Sequence, residues 1–208
     1  MGVLEPLIDR YRPDSKMEGT DRGDPIMVFE IEYPESLSRW RPLVKWLLVI
    51  PHLVVFLLLA PVFLAVVVVA WFSILLTGRF PRQLWNFELQ YMRRSTNQTT
   101  YAITLQRDEY PPFGEAPYPA TLDIDYPEQL TRWKVLVKWL LMLPNLLALG
   151  VVMVGAALAV TAAFFAIIFT GKYPPALFDF VTGAFRWGHR WGAYFYLMSD
   201  RYPPFSLH

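Results

Sequence analysis

His52 is the first residue in this chain that could do acid–base or metal chemistry. It stands inside Trp46 to Gly78, a run of 33 residues without one Asp, Glu, Lys or Arg. One imidazole with no carboxylate or second ligand nearby makes a poor proton path and an incomplete metal site. Its expected role is a hydrogen bond to a neighbouring helix. A second group, Arg186, His189 and Arg190, lies at helical spacing, with Asp179 seven residues ahead of Arg186. Such a face can meet a phosphate, but a headgroup or inter-repeat contact is its simpler use. The chain has no cysteine, which excludes disulfides, thiol catalysis and thiolate metal sites. It also lacks a Gly-rich phosphate loop, a zinc motif, a nucleophile elbow and a carboxylate-rich helix. These residues predict a protein that is not an enzyme and uses no metal or cofactor.

The repeated polar chemistry is basic and aromatic. Arg39, Lys45, Arg132 and Lys138 interleave with Trp40, Trp46, Trp133 and Trp139. Tryptophan favours the membrane–water boundary, and a basic side chain near an anionic surface contributes about 1 kcal/mol. These eight residues, with Arg186 and Arg190, form the predicted lipid and interface set. A formal net charge of +1 gives no global attraction to nucleic acid, so membrane lipids are the expected partners.

These residues sit in a chain that repeats itself. Tyr33 to Pro51 returns as Tyr126 to Pro144 at an offset of 93, with 13 of 19 positions identical. Thr77-Gly78-Arg79-Phe80-Pro81 returns as Thr170-Gly171-Lys172-Tyr173-Pro174. Tyr110-Pro111-Pro112-Phe113 closes the first copy, and Tyr202-Pro203-Pro204-Phe205 the second. A duplication of this length defines the organisation: a polar tail at 1–26, repeat one at 27–114 and repeat two at 115–208. The tail has no apolar core or small-residue cleavage site, so it does not read as a signal peptide.

Charged residues make up only 18%, against roughly 25% in soluble domains. A second charge-free run of 33 residues extends from Trp139 to Gly171. About 18 such residues suggest a transmembrane helix, so the expected class is an α-helical integral membrane protein. One helix of 33 residues is about 50 Å long against a hydrocarbon core of about 30 Å. Basic residues flank both runs at both ends, and basic flanks prefer the cytoplasmic side. The favoured reading is therefore a helical hairpin in each copy, turning near Pro61 and between Gly150 and Gly155, with both termini cytoplasmic. The alternative is one long transmembrane helix per copy, which would make the repeats inverted.

Around each run the pattern predicts further elements. Alternation at Val28–Glu32 and Thr121–Asp125 suggests strands outside the bilayer. An amphipathic helix then leads into the apolar run, kinked at Pro51 and Pro144. After the Thr-Gly breaker comes an aromatic helix, at Leu84 to Arg94 and at Leu177 to about Leu197, expected to lie on the membrane surface. Thr99 to Gln106 reads as a strand. Ala148, Gly155, Ala159, Ala162 and Ala166 share one helical face and predict a packing stripe against the first repeat or a second chain.

Arg-Trp near the start, Pro51-His52, Thr-Gly-Arg-Phe-Pro and Tyr-Pro-Pro-Phe, in that order and twice over, resemble a bacterial family of duplicated membrane domains of unknown function. The resemblance covers about 28–113 and 121–207. It implies a bacterial cell-membrane setting and no particular activity. Copy two departs from the pattern at Asn145, which stands where copy one has His52. Three functions compete: a non-enzymatic scaffold or accessory subunit of a membrane complex, a small transporter or channel, and a membrane enzyme acting on lipid. The absence of catalytic motifs, and of ionisable residues other than His52 in the runs, favours the first. The expected partners are lipid and another membrane protein or a second copy.

Overall fold

The computed structural model describes residues 27–114 and 116–207. The tail assigned to 1–26 lies outside the described residues. Strand β1 (Met27–Ile31) pairs antiparallel with β2 (Ala120–Ile124), Phe29 opposite Leu122. A 3-10 turn at Arg41–Leu43 and a short helix α1 (Lys45–Leu48) lead into α2 (Ile50–Thr77). Helix α3 (Arg82–Gln98) follows, and its C-terminus widens into a π-helical turn over Thr99–Ile103. Copy two contributes α4 (Lys134–Thr170) and α5 (Pro175–Phe195).

The hairpin expectation is corrected. Each apolar run is one continuous helix, with Pro61 inside α2 and Pro144 inside α4. A proline removes one hydrogen bond and bends a helix, but a reversal also needs side chains that satisfy the freed carbonyls and amides. No Asn, Asp or Ser stands near Pro61 or Gly150 to do so. Pro51 marks a break after α1, whereas α4 runs through Pro144 unbroken. At 28 and 37 residues the helices are about 42 and 55 Å long.

The Thr-Gly breaker ends both helices in the same way. Gly78 (φ +74°) and Gly171 (φ +73°) adopt the left-handed conformation and donate to Ile74 O and Ile167 O at 2.8 Å. Glycine takes this C-cap without a Cβ penalty. The following aromatics, Phe80 and Tyr173, are buried, and Pro81 and Pro174 open α3 and α5.

Helix α3 folds back along α2, where Tyr91 stacks on Phe63 with centroids 4.1 Å apart. Helix α5 does the same along α4. The pair α3 and α5 then meets at Thr96 and His189, 2.7 Å apart, and carries the strands on its far side. Phe29 with Leu122 and Thr96 with His189 are both pairs of residues 93 apart, so a pseudo-two-fold axis runs through the sheet and between α3 and α5. The aromatic helices are thus a middle layer, not the surface-lying helices expected. The strand expected at Thr99 to Gln106 is also absent: the π-turn continues α3, because the Thr100 hydroxyl bonds Thr96 O and Asn97 O instead of leaving the backbone free to pair.

The copies exchange contacts. Leu37 N donates to Gly171 O, and Leu130 N to Gly78 O, each at 2.8 Å. The hydroxyls of Tyr33 and Tyr126 donate to Tyr173 O and Phe80 O of the opposite copy. The core follows this exchange: Phe29, Ile74, Phe80, Leu89, Leu122 and Val135 form one cluster drawn from both copies.

Candidate lipid-facing surface and its lysine clamps

Two of the predicted interface cations are interior. Lys45 is 1% exposed; its ammonium lies 2.8 Å from Asp108, donates to Arg107 O at 2.6 Å and sits over the Tyr101 ring. Lys138 repeats this with Asp200 at 2.9 Å, Ser199 O at 2.7 Å and the Tyr194 ring. The amides of Ser38 and Thr131 donate to the same two carboxylates. An ammonium here has its donors satisfied by protein, so neither lysine is available to lipid. They fasten the end of each copy to its own opening segment. Burial pushes the Asp108 and Asp200 carboxyls up, but the lysine and amide donors outweigh it and hold both below the usual carboxylate range.

The clamp carboxylates escaped the sequence reading. Their signal was present in both copies, as an aspartate two residues before each Tyr-Pro-Pro-Phe. His52 and Asn145 prove to do one job. His52 stacks on Phe113 at 4.0 Å and packs against Tyr110 at 5.0 Å, while Asn145 Nδ2 donates to Pro203 O at 2.9 Å and its Oδ1 accepts from Trp187. Each holds the closing turn of its copy against a long helix, instead of the neighbouring-helix contact expected of His52.

Arg186 and Arg190 are likewise turned inward. Arg186 donates to Phe29 O and Leu207 O, and Arg190 to Ser206 O at 2.6 Å. They hold β1 and the end of the described chain, which corrects their place in the interface set. His189 keeps company with them but is spent on the axis. Burial lowers its pKa to about 4, so the ring is neutral, with Nδ1 donating to Phe185 O and Nε2 accepting from Thr96. Glu88, on α3, is fully buried with no hydrogen-bond partner for either oxygen among the described residues, and burial raises its pKa to about 9.

Of the expected packing stripe Ala159 is buried, while its other members give way to the next residue along: Leu149, Ala156, Ala163 and Ile167 are buried on α4, Ala162 is open and Ala166 only half-covered. Gly155 lies against Phe180, where an added Cβ would come within 3.3 Å of the ring. The partner within the chain is mainly α5 of the same copy. Ala163 also reaches Leu37 and Leu105 of the first.

The remaining members of the predicted set are exposed: Arg39 and Arg132, and Trp40, Trp46, Trp133 and Trp139 at 60–64%. They stand at the ends of two long apolar faces. Along α2, Leu53, Leu57, Leu64, Val68 and Leu76 all lie open, while the opposite side buries His52, Phe63, Ala70 and Ile74. Helix α4 shows the same division. Both helices are long and apolar enough to cross a membrane, and only 11% and 22% of their most apolar stretches are buried within the protein.

No curated protein and no solved structure matches the chain. A family match does cover the region just described, residues 39–114 and again 132–206. Both clamps, both apolar helices and both closing turns lie inside those two spans, so the duplication is two copies of one domain, and the chain belongs to the family described as Domain of unknown function (DUF4389).

Proposed function

We propose that this protein is a non-enzymatic membrane protein, a scaffold or accessory subunit of a larger membrane complex, held at a bacterial cell membrane in contact with anionic headgroups. The observation that carries this reading is the exposed apolar side of α2 and α4, with Trp40, Trp46, Trp133 and Trp139 and the exposed cations Arg39, Arg79, Arg132 and Lys172 at its ends. An uninterrupted apolar face of this length is untenable in water and marks a lipid or protein contact. The buried lysines, which an active site would keep for substrate, are engaged in closing each copy on itself, and Arg186 ties copy two to β1. A multi-pass arrangement and an arrangement within one leaflet both cover the apolar side; they differ in where they leave the sheet.

The test is purification in mild detergent, with identification of the lipid and protein that accompany the chain, followed by vesicle flotation. Anionic vesicles should carry the protein up the gradient, and replacing Arg39, Arg79, Arg132 and Lys172 together by Gln should weaken that by about a thousandfold at low salt, near 1 kcal/mol for each of the four cations lost. The alternative, a small transporter or channel, has the internal repeat in its favour. Solute or ion flux into reconstituted vesicles above that of empty ones would promote it.

A further inference from the structure

The long helices carry something on their backs that a crossing helix cannot. Phe63, near the middle of α2, stacks on Tyr91 of α3, and two residues further along α3 Arg93 bonds Leu122 O and the Asp123 carboxylate at 2.8 and 2.9 Å. The Asp123 side chain is 63% exposed. A solvated carboxylate and a two-stranded sheet whose outer edges have no partner strand among the described residues therefore stand level with the middle of the apolar run. Copy two repeats the arrangement: Gly155 and Gly188 bring the middles of α4 and α5 together, and Arg186 bonds Phe29 O on β1.

If α2 stood along the membrane normal, that sheet would lie at the depth of the hydrocarbon. Unpaired strand edges are not tolerated there, and each exposed charge is expensive. Sliding the helix along the normal does not help. The pseudo-two-fold axis runs α2 and α4 in opposite directions about the same centre, so a shift that frees the sheet leaves half of the other apolar helix in water. The same axis runs through the sheet, so it turns both exposed apolar sides away from the strands and towards one plane.

Charge follows this division. Arg39 lies beside Gly171 at the C-terminus of α4 and Arg132 beside Gly78 at the C-terminus of α2. Each end of the helix pair thus carries two exposed cations, Arg39 with Lys172 and Arg132 with Arg79. Glu30, Glu32 and Asp123 are exposed on the strand side. A base-rimmed apolar face opposite an acidic one fits the boundary layer of a single anionic leaflet.

We propose that α2 and α4 lie in the plane of one leaflet of an anionic bilayer, apolar sides in the acyl layer and the sheet in water, so that the chain is anchored without crossing. This rests on the membrane reading above and replaces its multi-pass form. It also explains basic residues at every flank, since all four flanks then meet the same surface.

The cysteine-free chain makes the test direct. Ser36→Cys and Gln129→Cys lie at opposite ends of α2, beside Gly171 and Gly78 respectively. Full-length protein carrying each is bound to sealed vesicles of anionic and zwitterionic phospholipid and treated with an impermeant thiol reagent. Both should react from the side of addition. Spin labels at Leu53→Cys, Leu64→Cys and Leu76→Cys should report one shallow depth, about 5–10 Å below the headgroups. Labelling of Ser36→Cys and Gln129→Cys from opposite sides, with Leu64 deepest, would overturn the in-plane arrangement and leave the membrane reading intact. Protein that fails to float with vesicles and forms a soluble dimer in detergent-free buffer would overturn both.

Discussion

Lys45 and Lys138 occupy the positions where an anionic-lipid site was expected, and each is enclosed by a carboxylate, a carbonyl and a tyrosine ring. Removing one partner of a buried ion pair strands the other charge. Lys138→Met should therefore lower unfolding free energy by about 3 kcal/mol, with lipid binding of the folded fraction unchanged; thermal unfolding and flotation separate the two. Glu88 behaves in the opposite sense. Its folded pKa of about 9 lies above the ordinary value of 4.5, so the native state binds a proton the unfolded chain releases as pH rises through that window. The folded protein should lose stability between pH 5 and pH 8 on this account. Glu88→Gln should be more stable than the parent at pH 8, by about 5 kcal/mol, with the difference fading near pH 5 in denaturation curves. Asp108 and Asp200 are held low, so the stability they bring is present above the usual carboxylate range and is lost as pH falls through their depressed values. Such pairings are hard to read in one dimension: Lys45 meets a carboxylate 63 residues away, and nothing local to Lys-Trp distinguishes a clamp from a headgroup contact.

At the level of elements, the breakers, the strands and the helical character of both apolar runs were legible, because each depends on local rules. The strands came out one residue early, α3 ran from Arg82 to Gln98 and so beyond both expected ends, and α5 began and ended two residues early. What failed was the number of helices in each apolar run and the burial of α3 and α5. Hydrophobicity is the same whether a face meets lipid or protein, so composition could not tell which side of α2 was covered. The alanine stripe failed for a related reason. Ala162 and Ala163 are adjacent and chemically identical, and only the position of Phe178 decides between them. Ala163→Leu should cost about 1–3 kcal/mol by overpacking, while Ala162→Leu, on the open side, should be nearly neutral; chemical denaturation in detergent reads the contrast. Gly78→Ala should also destabilise, since φ of +74° is unfavourable to alanine and its Cβ would press on Arg132 at 3.3 Å.

For the whole molecule, the repeat boundaries do not coincide with folding units. Among the described residues β1 pairs with β2 alone, and each opening tyrosine bonds the opposite copy. Expressed separately, residues 27–114 and 116–207 should each be unfolded or aggregated, and co-expression should recover a complex carrying both; affinity capture through a tag on one half measures it. The duplication was plain in the sequence, but this interlocking was not, since a repeat announces similarity and says nothing about which copy touches which.

The contact on the axis has a historical consequence. In a chain with only one copy of this domain, the same strand pairing, tyrosine bonds and glycine contacts are available only from a second identical molecule, so such a chain should exist as a symmetric homodimer. In that dimer the residue at the axis would face itself, threonine to threonine or histidine to histidine. Covalent fusion lifts this requirement and lets the Thr96 hydroxyl hydrogen-bond to His189 Nε2. The same freedom accounts for His52 and Asn145 fastening equivalent turns by different means. Once two halves share one chain, each can drift to complement the other, and a heteromeric interface evolves inside a single polypeptide.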